Sequence, residues 1–283
     1  MSYIDMKNVT FQYEHGIDKV LKDVNLEIDK GEYVVITGKS SQGKSTLGFC
    51  FNGLIPGAVD GVYEGNVTID GLNTVEEKVS TISEKVGIVF QNPESQIFGL
   101  SVEEDVLFAL ENFGIEKEEI TKRIEWSLKV VRMNEYLKRS PFELSGGQKQ
   151  RVIIGSVLAL RPDIIVLDEP TAEIDPKGKS EILAILKELN EKHNITVILI
   201  EHDMERVIPY ASRFIVLEDG KIVVNDTPYN AFQDVDNLMK KGVRVPEICK
   251  LFHSLKKSHK YDGDIPITLE DAKQKLKEVM NRD

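Results

Sequence analysis

Three short stretches of this chain carry residue types and spacings suited to phosphate chemistry. The first, GKSSQGKST at residues 38–46, has the form G-x-x-x-x-G-K-S. Gly38 and Gly43 permit a tight turn that aims backbone N–H groups at an anion from the start of a helix, with Lys39, Ser40, Ser41 and Gln42 supplying the backbone between them. Lys44 has the reach for β- and γ-phosphates, Ser45 offers a hydroxyl to magnesium, and Thr46 follows in the same turn. The second stretch, IIVLDEP at 164–170, ends an apolar run in two acids. There Asp168 suits a magnesium ion held through water, and Glu169 suits polarisation of an attacking water. The alternative is a capped strand end, which leaves two carboxylates costly unless solvated or paired. The third stretch is LSGGQKQRV at 144–152. Ser145 and Gln148 have capping-box spacing, and Gly146 and Gly147 bare the amides of a helix start. That makes two anion-binding helix starts in one chain, and one nucleotide rarely needs both from the same subunit.

Such groups need elements that hold them. Val9, Phe11 and Tyr13, then Val24, Leu26 and Ile28, alternate with polar residues as half-buried strands do. EYVVITG at 32–38 is mostly apolar and runs into the glycine loop, after which KSTLGFCFNGL suits a helix. Strand, loop and helix is the context the loop requires. GNVTIDG (65–71) and VGIVFQN (86–92) read as short strands, and residues 101–160 as helices, with Ser101 and Glu104 spaced as a capping box. The α/β rhythm then returns: IIVLDEP, a helix around SEILAILKELNEK, ITVILIEHD at 195–203, and FIVLEDGKIVV at 214–224 with Asp219-Gly220 as a hairpin turn. Beyond about residue 232 the tail reads as an added module. Ile248, Leu251, Phe252 and Leu255 lie at helical spacing, and Thr268 with Asp271 caps a second helix bearing Leu269, Ala272, Leu276 and Val279. Either the chain's own domain or a partner subunit must cover their apolar faces.

Composition narrows the partners. The 283 residues include 36 basic and 47 acidic side chains, a formal net charge of -11, which works against tracking a nucleic-acid backbone. The opening MSYIDMKNVTF has neither a basic leader nor an apolar stretch, so secretion is not indicated. No apolar run approaches the ~20 residues of a membrane helix, so any membrane role is peripheral. Cys50 and Cys249 match no disulfide framework or metal-ligand spacing, as expected of reduced cytosolic thiols.

With these landmarks in this order, residues 3 to 230 resemble the ATP-binding-cassette (ABC) ATPases, whose hallmark is LSGGQ between the two Walker motifs. The resemblance implies an α/β P-loop NTPase core over residues 1–232. It would have an N-terminal antiparallel β subdomain, an inserted helical subdomain at about 95–160, and a helical dimerisation module at 233–283. It implies ATP and Mg2+ as ligands. It also implies head-to-tail pairing of two cassettes, each ATP lying between the Walker A loop of one and the LSGGQ of the other. Gln91 then matches the Q-loop glutamine that senses magnesium and γ-phosphate, Glu169 the general base and His202 the switch histidine. Asp175 in TAEIDP matches the D-loop, and Tyr13 the aromatic that stacks on adenine. From the residues alone Gln91 also suits a polar loop, Tyr13 core packing, and His202 a hydrogen-bonded strand end. Two departures stand out: Ser41 and Gln42 replace residues that are often small, and Glu173-Ile174 stands where Gly-Leu is frequent.

The chain lacks the long coiled coil of repair cassettes and the second cassette of translation factors, which leaves importers. FQNPESQIFGLSVEEDVLF (90–108) and RVPEICKLFHSL resemble the energy-coupling factor (ECF) and cobalt-transport ATPases. That likeness implies a transmembrane coupling protein, a separate substrate-binding membrane subunit for a vitamin or metal ion, and a peripheral position on the cytoplasmic membrane face. A conventional importer ATPase and a non-hydrolysing regulatory cassette are the alternatives.

Overall fold

The computed structural model describes residues 2–280, with backbone only for 278–280. Two sheets organise it. In the first, β1 (Ile4–Tyr13), β2 (Leu21–Ile28), β4 (Gly61–Ile69) and β5 (Leu72–Asn73) form an antiparallel sheet in the order β2-β1-β4-β5. Its strands bury one face, Ile4, Met6, Val9 and Phe11 from β1 and Leu21, Val24, Leu26 and Ile28 from β2, as alternation dictates. In the second, β3 (Tyr33–Thr37), β6 (Val86–Val89), β7 (Ile164–Asp168), β8 (Thr196–Ile200), β9 (Arg213–Glu218) and β10 (Lys221–Asp226) take the order β10-β9-β3-β8-β7-β6. All neighbours there run parallel except β10, which returns antiparallel to β9. Strands β3, β7 and β8 are buried throughout, which explains their unbroken apolar runs.

Helices flank and extend this core. The chain leaves β3 through the glycine loop into α1 (Lys44–Phe51), followed by short turns α2 (Leu54–Gly57) and α3 (Val79–Ser83). The inserted helical region holds α4 (Val102–Asn112), α5 (Lys117–Val130) and α6 (Gly146–Ala159). Then come α7 (Pro176–His193), α8 (Met204–Val207) and α9 (Pro228–Ala231), and in the tail α10 (Val235–Lys240), α11 (Glu247–Lys257) and α12 (Leu269–Met280). Among the described residues no helix is long and apolar enough to cross a membrane.

Several local details differ from the sequence reading. Strand β4 starts at Gly61, paired with Tyr13, not at Gly65. Gly65 instead sits at φ +97 where the β1–β4 register shifts, with the Asn8 carbonyl too near (2.4 Å) for any Cβ. The Ser101 hydroxyl accepts from the Glu104 N–H as expected, but the Glu104 carboxylate turns to the Leu100 N–H, so the box closes one residue early. Asp219 and Gly220 both have positive φ, 51° and 76°, the pattern of a type I′ hairpin turn.

The tail packs on its own domain. Helix α11 buries Cys249 and Phe252, with Phe252 edge-on to Tyr261 at 5.0 Å, and these join the same apolar cluster as Phe214 and Phe232. Leu251 is 47% exposed, so the inward stripe runs through Cys249 instead. In α12, Ala272 is buried and Leu276 packs against the cluster, while Leu269 is exposed. The Val279 side chain, expected on that face, lies outside the described residues. Phe252→Ala is expected to cost about 3–5 kcal/mol of stability, and Leu251→Ala well under 1 kcal/mol, read from denaturant midpoints at constant slope.

Candidate nucleotide site

The parallel strands deliver their carboxyl ends, and the loops that follow, to one edge of the sheet, where open α/β sheets place their ligands. After β3 the chain enters the loop Gly38–Gly43. Gly38, at φ +147, lies so close to the Leu217 carbonyl of β9 that a Cβ would approach it to 2.1 Å. Gly43, at φ +96, is the residue before α1, and no side chain caps that helix start. Its free N–H groups form a cradle for an anion. Lys44 folds back over the loop, its Nζ donating to the carbonyls of Gly38 (3.2 Å) and Lys39 (2.9 Å). Burial pulls its ammonium below the ordinary lysine value, opposed by Glu169 and Asp168.

The two departures at 41 and 173 keep the backbone shape that glycine would favour. Ser41 has φ 61° and Glu173 φ 57°, both left-handed. Gln42, meanwhile, accepts a hydrogen bond from the Asp219 N–H through its Oε1, tying the glycine loop to the β9–β10 turn. The larger side chain therefore has a structural partner.

Across the cavity, β7 ends in Asp168, which is 7% exposed and has the Ser45 hydroxyl near it. Burial raises its carboxyl above the usual range, with Ser45 opposing and the neighbouring Glu169 adding to the rise. Glu169, with φ 48°, turns into the open. One carboxylate oxygen lies 3.0 Å from His202 Nε2; the other accepts from Gln91 Nε2 at 3.2 Å. The chain has thus brought together residues 91, 169 and 202 from three loops. Tyr13 lines the same cavity, edge-on to Phe11, with its hydroxyl 2.9 Å from that of Thr46. The shared cavity is about 1310 Å³, lined among others by Tyr13, Ser40, Lys44, Gln91, Glu169 and His202.

Ser145, Gly147, Gln148 and Asp175 are elsewhere. They line a separate cavity of about 300 Å³ with Tyr136 and Arg151. Ser145 and Gln148 complete the capping box at the start of α6. Asp175 caps α7 by accepting from the N–H groups of Gly178 and Lys177, and the Gly178 contact, chiefly, holds its carboxyl below the ordinary range. Gly146 has open space around it, whereas Gly147 lies against Ile174 and Gly178.

Two features escaped sequence reasoning. Buried Glu201 accepts from the Thr171 hydroxyl and from the His202 N–H, steadying the His202 backbone from beneath. An acid directly before His202 at the end of an apolar strand was the available signal. Tail residues Gly242–Glu247 also line the first cavity, and nothing local in their sequence places them there.

A family model described as ABC transporter matches residues 21–172. The chain belongs to the ABC transporter ATPases. Among its relatives, the energy-coupling factor transporter ATP-binding protein EcfA1 of Caldanaerobacter subterraneus is 46% identical over 258 residues, covering 90% of this chain and 91% of that one. The structure of CbiO1 from Clostridium perfringens, part of the ABC transporter complex CbiONQ, is similar to this ABC ATPase with TM-score 0.75 and 32% identity, over 89% of this chain and 99% of that one. A dimeric post-hydrolysis cassette, MJ0796, bound to ADP and Pi, has TM-score 0.69 and 34% identity, covering 80% and 98%. ATP hydrolysis is accordingly the activity of this family member. Gly38→Ala is expected to abolish ATP binding and lower the thermal midpoint, because the obstructing atom is a backbone carbonyl. Gly71→Ala, with open space at φ +79, should cost only about 1 kcal/mol, and calorimetry with nucleotide titration checks both.

Proposed function

We propose that this ABC ATPase powers an ECF-type importer, taking up a vitamin or transition-metal ion through membrane partner subunits. The observation that carries the catalytic part is the Glu169 carboxylate bracketed by Gln91 and His202 in the cavity that Lys44 enters. In this reading the amides of Gly38–Gly43, including those of Lys39, Ser40, Ser41 and Gln42, grip the phosphates, with Lys44 and Thr46 at the helix start, while Tyr13 stacks on adenine. A magnesium ion fits the oxygen-donor set of the Ser45 hydroxyl, the Asp168 carboxylate and the Gln91 amide oxygen, whose amide nitrogen is the atom engaged with Glu169. When bound it would neutralise charge on the phosphates.

Glu169 then orients water for in-line attack on the γ-phosphate and accepts its proton. His202 holds that carboxylate and contacts the γ-phosphate. The β–γ bridging bond breaks, leaving ADP and inorganic phosphate. The second cavity, with Ser145, Gly147, Gln148 and Asp175, and with Gly146 beside it in the chain, is assigned to the nucleotide of a partner cassette, and ATP acts by favouring the closed pair over the open one. The partner is a second ABC ATPase, identical or not. The dimeric ADP-bound relative supports this pairing, and the EcfA1 and CbiO1 likenesses support the importer type. Residues 233–283 serve dimerisation in the same reading.

A transmembrane coupling protein would meet the segment after Gln91. There Phe98 and Leu100 are 67% and 78% exposed, held on α4 by Asp105, which accepts from the N–H groups of Phe98 and Gly99. This peripheral placement puts the chain at the cytoplasmic membrane face, with the substrate bound by another membrane subunit.

In the assembled transporter, Glu169→Gln is expected to retain ATP binding and lose at least about a hundredfold in turnover, the scale of a lost general base; undiminished turnover removes Glu169 from that role. Gly146→Ala is the complementary test of the composite site. Its added methyl meets nothing within 4 Å, so the chain's stability should hold while turnover falls, and unchanged turnover would place the phosphate elsewhere.

A further inference from the structure

The nucleotide cavity has a wall that the nucleotide loop does not supply. Its volume, about 1310 Å³, exceeds the roughly 300–1,000 Å³ of common small-molecule sites, and the C-terminal module supplies part of its lining. The segment from the end of α10 to the first residue of α11, residues 241–247, is pinned against the core at three places. Lys241 Nζ bonds Glu218 at the end of β9 (3.2 Å), Gly242 packs on the Lys39 side chain so closely that a Cβ would come within 2.6 Å of it, and the Glu247 N–H donates to Glu205 in α8 (2.8 Å). Those three anchors are the β9 end, the phosphate loop, and the helix that follows His202.

Val243 and Val245 are 5% and 3% exposed and point into the apolar cluster. Arg244, between them, sits in a tight turn closed by the Val245 N–H on the Val243 carbonyl (3.0 Å), and it lines the cavity with Glu169, His202 and Lys44. The carboxylates on that wall already have partners: Glu169 has His202 and Gln91, Glu201 has Thr171, Asp203 has Arg206, Glu205 has the Glu247 amide, and Glu247 has Lys250. Arg244 makes no ion pair or side-chain hydrogen bond among the described residues. A guanidinium without a carboxylate, in a cavity built for a polyphosphate, is suited to a phosphate oxygen pair.

We propose that Arg244 binds the terminal phosphate of the nucleotide held by its own chain, so that the C-terminal module reads nucleotide state in cis. This rests on the nucleotide-site reading above. Loss of the γ-phosphate removes the group that Arg244 grips and releases the 241–247 segment from the cavity, while its three anchors pass the change to Lys39 and to α8.

The test uses the full chain in a Glu169→Gln background with magnesium. Arg244→Gln is expected to weaken ATP binding about tenfold, the scale of one charge-assisted hydrogen bond, and to leave ADP binding within about twofold, with Arg244→Lys recovering part of the loss. Hydrogen exchange over residues 241–250 should slow with ATP more than with ADP in the parent, and that difference should vanish in Arg244→Gln. Equal losses for ATP and ADP, no loss for either, or identical exchange with the two nucleotides overturns the proposal. A parent chain that binds neither nucleotide overturns the nucleotide-site reading and this inference with it.

Discussion

The parallel ladder between β7 and β8, in which Asp168 stands opposite Ile200, fixes the distance between the loop that follows each strand. The Glu169 N–H extends that ladder by donating to the Ile200 carbonyl, and the Glu201 N–H does the same to Ile36 on β3. Three successive strand ends are therefore locked by backbone hydrogen bonds before any side chain is considered. Glu169 and His202 can meet at 3.0 Å because their main chains are already in register. A slip of one residue in this ladder would turn each side chain of the strand, Asp168 included, to the other face of the sheet.

Around that frame, electrostatics divides two adjacent acids into two environments. Asp168 stays under the surface, where Ser45 and the nearby Lys44 offset part of the desolvation cost. Glu169, one residue on, swings out through a left-handed φ that L-residues adopt only at a cost of about 1–2 kcal/mol. The strain lies where the chain aims a carboxylate, a common place for it.

Legibility in the sequence followed locality. The glycine loop, the Asp168-Glu169 pair and the LSGGQ helix start are contiguous stretches whose chemistry depends on near neighbours, and each takes up the local structure its residues call for. The buried strands β3, β7 and β8 announce themselves as apolar runs. What stayed hidden depends on contacts distant in sequence. Glycine reads as a boundary, so the start of β4 was lost to Gly65, which in fact marks a bulge against Asn8. Leu251 was expected on the inward face of α11 beside Phe252, but it is exposed and Cys249 is buried instead, its Sγ 3.2 Å from the Pro266 carbonyl. That the tail closes over the nucleotide cavity follows only from the three anchors of residues 241–247, each more than twenty residues away along the chain or set by backbone.

The hydroxyl contact between Tyr13 and Thr46 joins the end of β1, an inner strand of the antiparallel sheet, to the first turn of α1. An aromatic ring tethered this way loses rotamer freedom when the protein folds instead of when a ligand arrives. Part of the entropy of ordering this cavity wall is thereby spent in advance, and a shift of β1 against α1 would carry the ring with it.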